Sequence, residues 1–575
     1  MKPKKLMALL LAGAMLIGGC GTQTDQDTGS GSQSSDSAAT PSETGETSAS
    51  GLDMSETLTY SVFIQADDVP DPQGAYENSA VVNYWQDMFN IKMEWQLPPQ
   101  GSESDQFTLM IGTGDYTDIM DMSFNTENLS TLCDDGVIYD LTPYIEEYMP
   151  NYYTYLQEND DVRTALYDDD GQIYTLAVIQ ENPKQWGGLV YRKDILDTMT
   201  DGNIQFPSGN DEPTTIDDWD YMLDLMNQYF QASGMADYAG LILPACGYFQ
   251  TGELMAGFGI GGVDYIDEDG KVAFGIAEDN FYNYLTKMNE WYEKGYIYRD
   301  FASRSQDLFY LPNTALTYGG AAGVFYGLTQ QLGDAMSVPD YDLYMDVQPI
   351  NAPADTEHGI ETPLGLYLDS GRASTNSGFA ISTACSEEKL YRILTAIDYF
   401  YSDEGAATRS MGLSSEQGAA NYPEYEENGC PNGACISGTT QWTEEMDNKS
   451  DANEYLFSMD RLPGISVDYP TRTCDLSDDG QDYSVLGDEE WTKYGNANVY
   501  PLAVSLTPEE SDRVNTLQTS IIDYADSAIV NFIMGETELT EESFKAYQDQ
   551  LESLGLSEYL EIKQAAYDRY MSRGE

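Results

Sequence analysis

The stretch Leu58-Thr59-Tyr60-Ser61-Val62-Phe63-Ile64 is rich in β-branched and aromatic residues and has the length of one strand. A helix is expected next over about 79–89, and a second strand over 91–96. The alternation continues, with strands expected at 117–122, 172–178, 187–192, 239–243, 314–318, 322–326, 344–349 and 376–382. Three of the intervening helices place apolar residues at the same spacing. They are Trp219, Met222, Leu223, Met226, Tyr229, Phe230; then Phe281, Tyr284, Leu285, Met288, Trp291, Tyr292; then Leu390, Ile393, Leu394, Ile397, Phe400, Tyr401. Each set forms a single apolar stripe, the pattern of a helix packed on a sheet, and reads as core rather than as a cofactor box. Strands alternating with such helices make an α/β protein. Long helices dominate the C-terminus: one from about Pro508 to Met534, one after the N-cap residue Thr540, one ending near Met571.

Composition narrows the function. The 575 residues carry 98 Asp+Glu against 26 Lys+Arg, a formal charge of −72. Nucleic-acid binding needs clustered cations on phosphates, so no nucleic-acid partner is expected. With 41% hydrophobic and 12% aromatic residues the chain can bury a core, so disorder does not describe the whole of it. The single histidine, His358, removes any mechanism or metal site that needs two.

The N-terminus sets the location. Lys2, Lys4 and Lys5 precede an apolar run from Leu6 to Ile17, the order of an export signal and too short for a permanent membrane helix. Leu16-Ile17-Gly18-Gly19-Cys20 resembles the bacterial lipobox, which implies cleavage of residues 1–19 and lipidation of Cys20. That cleavage would take the charge from −72 to about −75. Residues 20–55 then form a Ser-, Thr- and Gly-rich tether with a span of roughly 30–35 Å. The expected location is the outer face of the cell membrane, held by the lipid anchor only.

Catalytic motifs are scarce. There is no P-loop. Gly257-Phe258-Gly259-Ile260-Gly261-Gly262 fits a dinucleotide pattern formally but lacks a clear preceding strand, so it reads as a glycine turn. Asp267-Glu268-Asp269-Gly270-Lys271 and Asp168-Asp169-Asp170-Gly171 read as acidic turns; the first fails as an EF-hand because Tyr265 and Ile276 occupy ligand positions. Cys430 and Cys435 flank a turn-like stretch and are the best local disulfide pair, with free thiols equally open. No cofactor and no metal is called for.

Several short motifs run in a recognisable order. Gly112-Thr113-Gly114-Asp115-Tyr116-Thr117-Asp118-Ile119 is followed by Gly136 to Ile145, Asp170-Gly171-Gln172-Ile173-Tyr174-Thr175-Leu176, and Leu189-Val190-Tyr191-Arg192-Lys193-Asp194-Ile195-Leu196. Pro213 to Trp219, Tyr292-Glu293-Lys294-Gly295-Tyr296-Ile297, Gly378-Phe379-Ala380-Ile381-Ser382 and Ile397 to Gly405 complete the set. In this order, behind a lipobox and tether, they resemble the extracellular solute-binding proteins of bacterial ABC importers, family 1 sugar-binding type, and in particular the large lipoprotein branch of Gram-positive bacteria. Thr117 and Ala177 stand where that pattern has proline. The resemblance implies an α/β, two-lobed periplasmic-binding-protein-like fold (type II-like) with interleaved lobes and a helical C-terminus. Lobe one would comprise 56–180 and 345–401, lobe two 181–344 and 402–575. It implies a monomer that captures a saccharide, an oligosaccharide by preference, and delivers it to importer permease subunits, with no catalysis.

Ligands of open α/β sheets sit beyond the carboxyl ends of strands, and sugars favour aromatic faces with planar polar groups. The candidate contacts are therefore Gln65, Asp67 and Asp68 after the first strand; Ser123, Phe124 and Asn125; Trp186 before the crossover strand; Tyr248, Phe249, Tyr318 and Arg372; and Trp442 and Trp491 outside the helix stripes. The alternatives are a surface-attached carbohydrate-active enzyme, which would need two carboxylates at a defined separation, and a peptide-binding or sensory lipoprotein of the same fold. Trp186→Ala is expected to weaken whichever ligand is captured; unchanged affinity by titration calorimetry would remove that residue from the site.

Overall fold

The computed structural model describes residues 52–65, 72–77, 79–181, 183–185, 187–243, 254–303, 314–339, 342–366, 372–411, 413, 417, 461–467 and 483–573. Its strands, in chain order, are β1 (Leu58–Phe63), β2 (Ile91–Gln96), β3 (Ile119–Asp121), β4 (Leu176–Gln180), β5 (Gly187–Arg192), β6 (Ala239–Leu241), β7 (Tyr265–Ile266), β8 (Val272–Ala273), β9 (Ala322–Leu328), β10 (Val347–Pro349), β11 (Ala373–Ile381) and β12 (Gly464–Ser466).

Two larger sheets organise the body. The first has the order β12-β4-β11-β3-β1-β2, with β11 antiparallel to both of its neighbours and the remaining pairs parallel. The second has the order β10-β5-β9-β6. Each lies against its own core. Tyr60, Val62, Ile119, Leu176, Ile393 and Phe400 are buried together around the first, and Leu241, Val324, Trp219, Met288 and Ile529 together around the second. This is a two-lobed α/β body. The three apolar stripes lie in the helices Ile216–Ala232 and Phe281–Lys294, and in Glu387–Asp398 with the helical turn after it. All of their residues are buried except Tyr229 and Tyr292, which are half-buried against the core. Thr215 and Thr507 each close a capping box, which fixes the starts of the helices Ile216–Ala232 and Pro508–Ile533. The C-terminal helices run over Pro508–Ile533, Glu541–Ser553 and Leu556–Ser572.

Several expectations are corrected. Residues 314–318 do not form a strand: Thr314–Thr317 is a helical turn, closed by Gly320 at φ +71°, whose N–H donates to the Thr317 carbonyl. Threonine and leucine suit a strand by composition, but the glycine pair that follows terminates a helix equally well. Two short strands also fall in the other sheet from the one the expected segmentation gave them. Val347–Pro349 pairs with β5, and Gly464–Ser466 pairs with β4. The helix Asp403–Met411 stays with the first sheet as well, because Arg409 donates to the Leu462 carbonyl (2.8 and 3.0 Å) and Ala406, Leu413 and Leu462 join the first core. The chain therefore passes between the sheets after Gln180, after Pro349 and after Ser466.

The glycine-rich segment is a turn demanded by packing. A Cβ on Gly257 would lie 1.9 Å from the Pro353 carbonyl oxygen, and Gly259 sits at φ +72°. The acidic turn at 267–271 is held by the Asp267 carboxylate, which accepts from the N–H groups of Asp269 and Lys271 (2.9 and 2.8 Å). Cys133 and Cys385 are free thiols, and burial pushes Cys385 up to about 12. Cys20, Cys430 and Cys435 lie outside the described residues. Among the described residues no helix is long and apolar enough to cross a membrane.

One buried carboxyl couples the first lobe to pH. Asp398 accepts from the N–H of Tyr152 (2.9 Å) and from the side chain of Asn151 (2.8 Å), at the start of the helix Pro150–Glu158. Burial nevertheless pushes its carboxyl up to about 6. The folded state then binds this proton more tightly than the unfolded chain, so the contribution is fully present below about 4 and is lost as pH rises through about 6. Between pH 5 and 7.5, Asp398→Asn is expected to remove about 1–3 kcal/mol of that pH dependence, read as the difference in urea midpoints.

Candidate functional site

The carboxyl ends of β1 and β3 are tied to each other. Asp121 accepts from the backbone N–H of Gln65 (3.4 Å) and from both the N–H (3.0 Å) and hydroxyl (2.6 Å) of Ser123. Phe124 is half-buried against a small core that includes Phe63 and Met122. Asn125 closes a local turn by exchanging hydrogen bonds with Glu127 (2.7 and 3.2 Å). The loop reaches the other lobe at Asn128, whose side-chain amide donates to the Leu506 carbonyl (3.3 Å).

Just upstream of Leu506, Val499–Leu502 and Val504 line a cavity of about 520 Å³. Gly262–Asp264, Leu366, Gln518, Ile522 and Lys563 complete its wall. This volume falls in the range of small-ligand sites. Three groups give it character. Leu502 is 71% exposed, a large apolar side chain left open to solvent. Lys563 lies 4.1 Å from the centre of the Tyr500 ring, in cation–π contact. Its ammonium is also 3.0 Å from Asp264. The Tyr559 hydroxyl donates to the same carboxylate (2.8 and 3.0 Å). Burial pushes the Tyr500 and Tyr559 hydroxyls far above the ordinary tyrosine range, with Asp264 adding to the effect, so both stay protonated donors. The cavity thus offers an aromatic ring, apolar wall and a compensated ion pair with further hydrogen-bonding capacity.

The sequence candidates divide into distinct groups. Gln65, Ser123, Phe124 and Asn125 share one end of the first sheet. Arg372, at the start of β11, is engaged within the first lobe by Asn159 (3.0 Å), Asp161 (3.2 Å) and the Tyr155 hydroxyl. Trp491 is buried, with its indole N–H donating to the Leu189 carbonyl (2.8 Å). Tyr318 is exposed after the helical turn and accepts from Gln331 (3.1 Å). Asp67, Asp68, Trp186, Tyr248, Phe249 and Trp442 lie outside the described residues. Tyr500, Leu502, Asp264, Gln518 and Lys563 escape the sequence reading. They come from four separate segments, and no local pattern marks them.

The cavity can hold a small polar molecule, and comparison with known proteins gives that arrangement a context. The family model described as bacterial extracellular solute-binding protein matches residues 80–415. The chain is 24% identical over 493 residues to the fructooligosaccharide ABC transporter substrate-binding protein FusA of Streptococcus pneumoniae serotype 4, covering 82% of this chain and 84% of that one. In fold it is similar to an HMO-binding, ABC-transporter-associated solute-binding protein from Bifidobacterium longum infantis (TM-score 0.66, 18% identity, 89% of this chain and 99% of that one). It is also similar to FusA from S. pneumoniae in complex with kestose (TM-score 0.59, 19% identity, 90% and 99%).

The Asp264–Lys563 pair is open to direct test. Lys563→Met is expected to lower stability by about 1–3 kcal/mol, because it leaves the carboxylate without its cation. The double variant with Asp264→Asn should lose less than the two single losses added together, measured as urea midpoints.

Proposed function

Because the chain belongs to the bacterial extracellular solute-binding proteins, we propose that it captures an oligosaccharide outside the cytoplasm and hands it to the permease subunits of an ABC importer. The observation that carries this reading is the cavity of about 520 Å³ beside the lobe-to-lobe contact, with the Tyr500 ring and the exposed Leu502 in its wall. Sugars present C–H faces that pack on aromatic and apolar surface, and hydroxyls that bond to groups such as Gln518 and the Asp264–Lys563 pair. The relatives named above, one described as a fructooligosaccharide-binding component and one as HMO-binding, support the same class of ligand. Among the described lining residues Asp264 is the one carboxylate, and two donors occupy it. Glycoside hydrolysis uses two carboxylates, so the site favours capture over cleavage.

Gln65, Ser123, Phe124 and Asn125 supply the ligand face of the first lobe in this reading, and Trp186, next to the crossing into the second sheet, adds an aromatic. Closure of the lobes is the signal that the permease reads. The protein is a monomer anchored through lipidated Cys20, with residues 21–55 as the tether. Neutral saccharides need no complementary charge, which agrees with a net charge of −72 on the rest of the molecule.

A thermal-shift screen against a glycan library tests the proposal. A saccharide at a hundredfold excess over its Kd adds about 2.7 kcal/mol of stability, and Tyr500→Ala should reduce that affinity by roughly tenfold or more, the scale of a lost aromatic contact. A library in which no saccharide shifts the protein would overturn the reading.

A further inference from the structure

The turn Asp168-Asp169-Asp170-Gly171 holds more than a change of chain direction. It belongs to the first lobe: Tyr174 donates to Asp168 (2.9 Å) and sits in the small core with Phe63 and Met122. The last helix, Leu556–Ser572, belongs to the second lobe through Leu556 and Tyr559. Asp169 joins the two. One carboxylate oxygen accepts from Arg573 (2.8 and 2.7 Å), and the other accepts from Arg569 (2.9 Å).

Arg573 is built for this position. Its side chain is 4% exposed. Besides Asp169, its guanidinium donates to the Thr164 carbonyl of the first lobe (3.3 Å), to the Ala503 carbonyl (3.0 Å) and to the Ser505 hydroxyl. The fork therefore finds partners in both lobes, which a lysine could not serve together. Arg569 extends the link to Glu510 (3.0 and 2.5 Å), at the start of the helix Pro508–Ile533.

The lobe-two partners Ala503 and Ser505 flank Val504, a residue of the cavity wall. Asn128 grips the next residue, Leu506, from the loop after β3. We infer that Asp169, Arg569 and Arg573 are positioning residues: a charged clasp that pins the cavity wall Val499–Val504 to the first lobe and biases the lobes toward the approximated arrangement before ligand arrives. The inference rests on the reading that ligand is held between the lobes. Its physical basis is that separating the lobes would strip Asp169 from a buried guanidinium, which is costly because the cation is left without its counter-charge. Salt screens buried pairs weakly, so the bias persists at physiological ionic strength.

The test needs no ligand, so it fails or succeeds independently of the glycan screen. Small-angle scattering of the ligand-free full chain gives the radius of gyration for wild type, Asp169→Asn, Arg573→Ala and Arg573→Lys. Hydrogen exchange follows the last helix in parallel. Asp169→Asn and Arg573→Ala should each increase the radius of gyration and shift the open-to-closed ratio by roughly tenfold or more. Arg573→Lys should fall between them and wild type, and the double variant should move no further than the larger single. An unchanged radius in folded variants overturns the clasp. So does faster exchange of the last helix with no change in radius, which would make these residues anchors of that helix alone. If Arg573→Ala does not fold, the near-isosteric Asp169→Asn decides.

Discussion

The indole of Trp491 occupies the space a side chain at position 188 would fill: a Cβ on Gly188 would lie 2.5 Å from the ring. Its N–H donates to the neighbouring Leu189 carbonyl. This contact locks together two segments about 300 residues apart, the strand by which the chain first enters the second sheet and the helix Tyr483–Trp491 that follows its final return. Much else depends on it. The neighbouring Gly187 is equally confined, because a Cβ there would lie 3.0 Å from the Tyr326 ring and 3.1 Å from the Gly327 carbonyl oxygen of β9. The cavity wall that begins at Val499 starts only a few residues beyond that indole.

Charge has a different part from the one its magnitude suggests. With 26 cations among 98 acids, most acidic side chains can only face water. Three of the arginines are spent inward. Arg192, Arg392 and Arg409 are almost fully buried, and each donates to backbone carbonyls: of Gly320, of Glu56 and Asp53, and of Leu462 respectively. Guanidinium forks satisfy carbonyls that loops leave unpaired, where burying those carbonyls unpaired would be expensive.

Much of the fold was legible in sequence because two periodicities carry it. The strands at 91–96 and 187–192 fall where β-propensity and run length put them, and the three apolar stripes bury as read. The reading failed at 314–318, where strand-forming residues precede a glycine pair that ends a helical turn instead. It also failed at Gly464–Ser466, three residues too short to announce a strand and placed by pairing with β4 alone. The site was less legible for the same reason. Gln65 and Ser123 could be placed together at one end of the first sheet because strand ends are predictable. Asp264, Tyr500 and Lys563 belong to three segments that meet only after both cores have formed, and nothing in their local sequence anticipates the meeting.

The three passages between the sheets, after Gln180, Pro349 and Ser466, have a mechanical consequence. Two bodies joined by a single strand can swivel, tilt and slide, and each of those freedoms carries entropy that a fixed arrangement must lose. The three links that the described residues define resist torsion and sliding together, because either movement stretches at least one of them. What remains soft is bending at the seam. A body with one soft coordinate is described by a single angle, and little entropy of relative motion is left to lose when that angle is fixed.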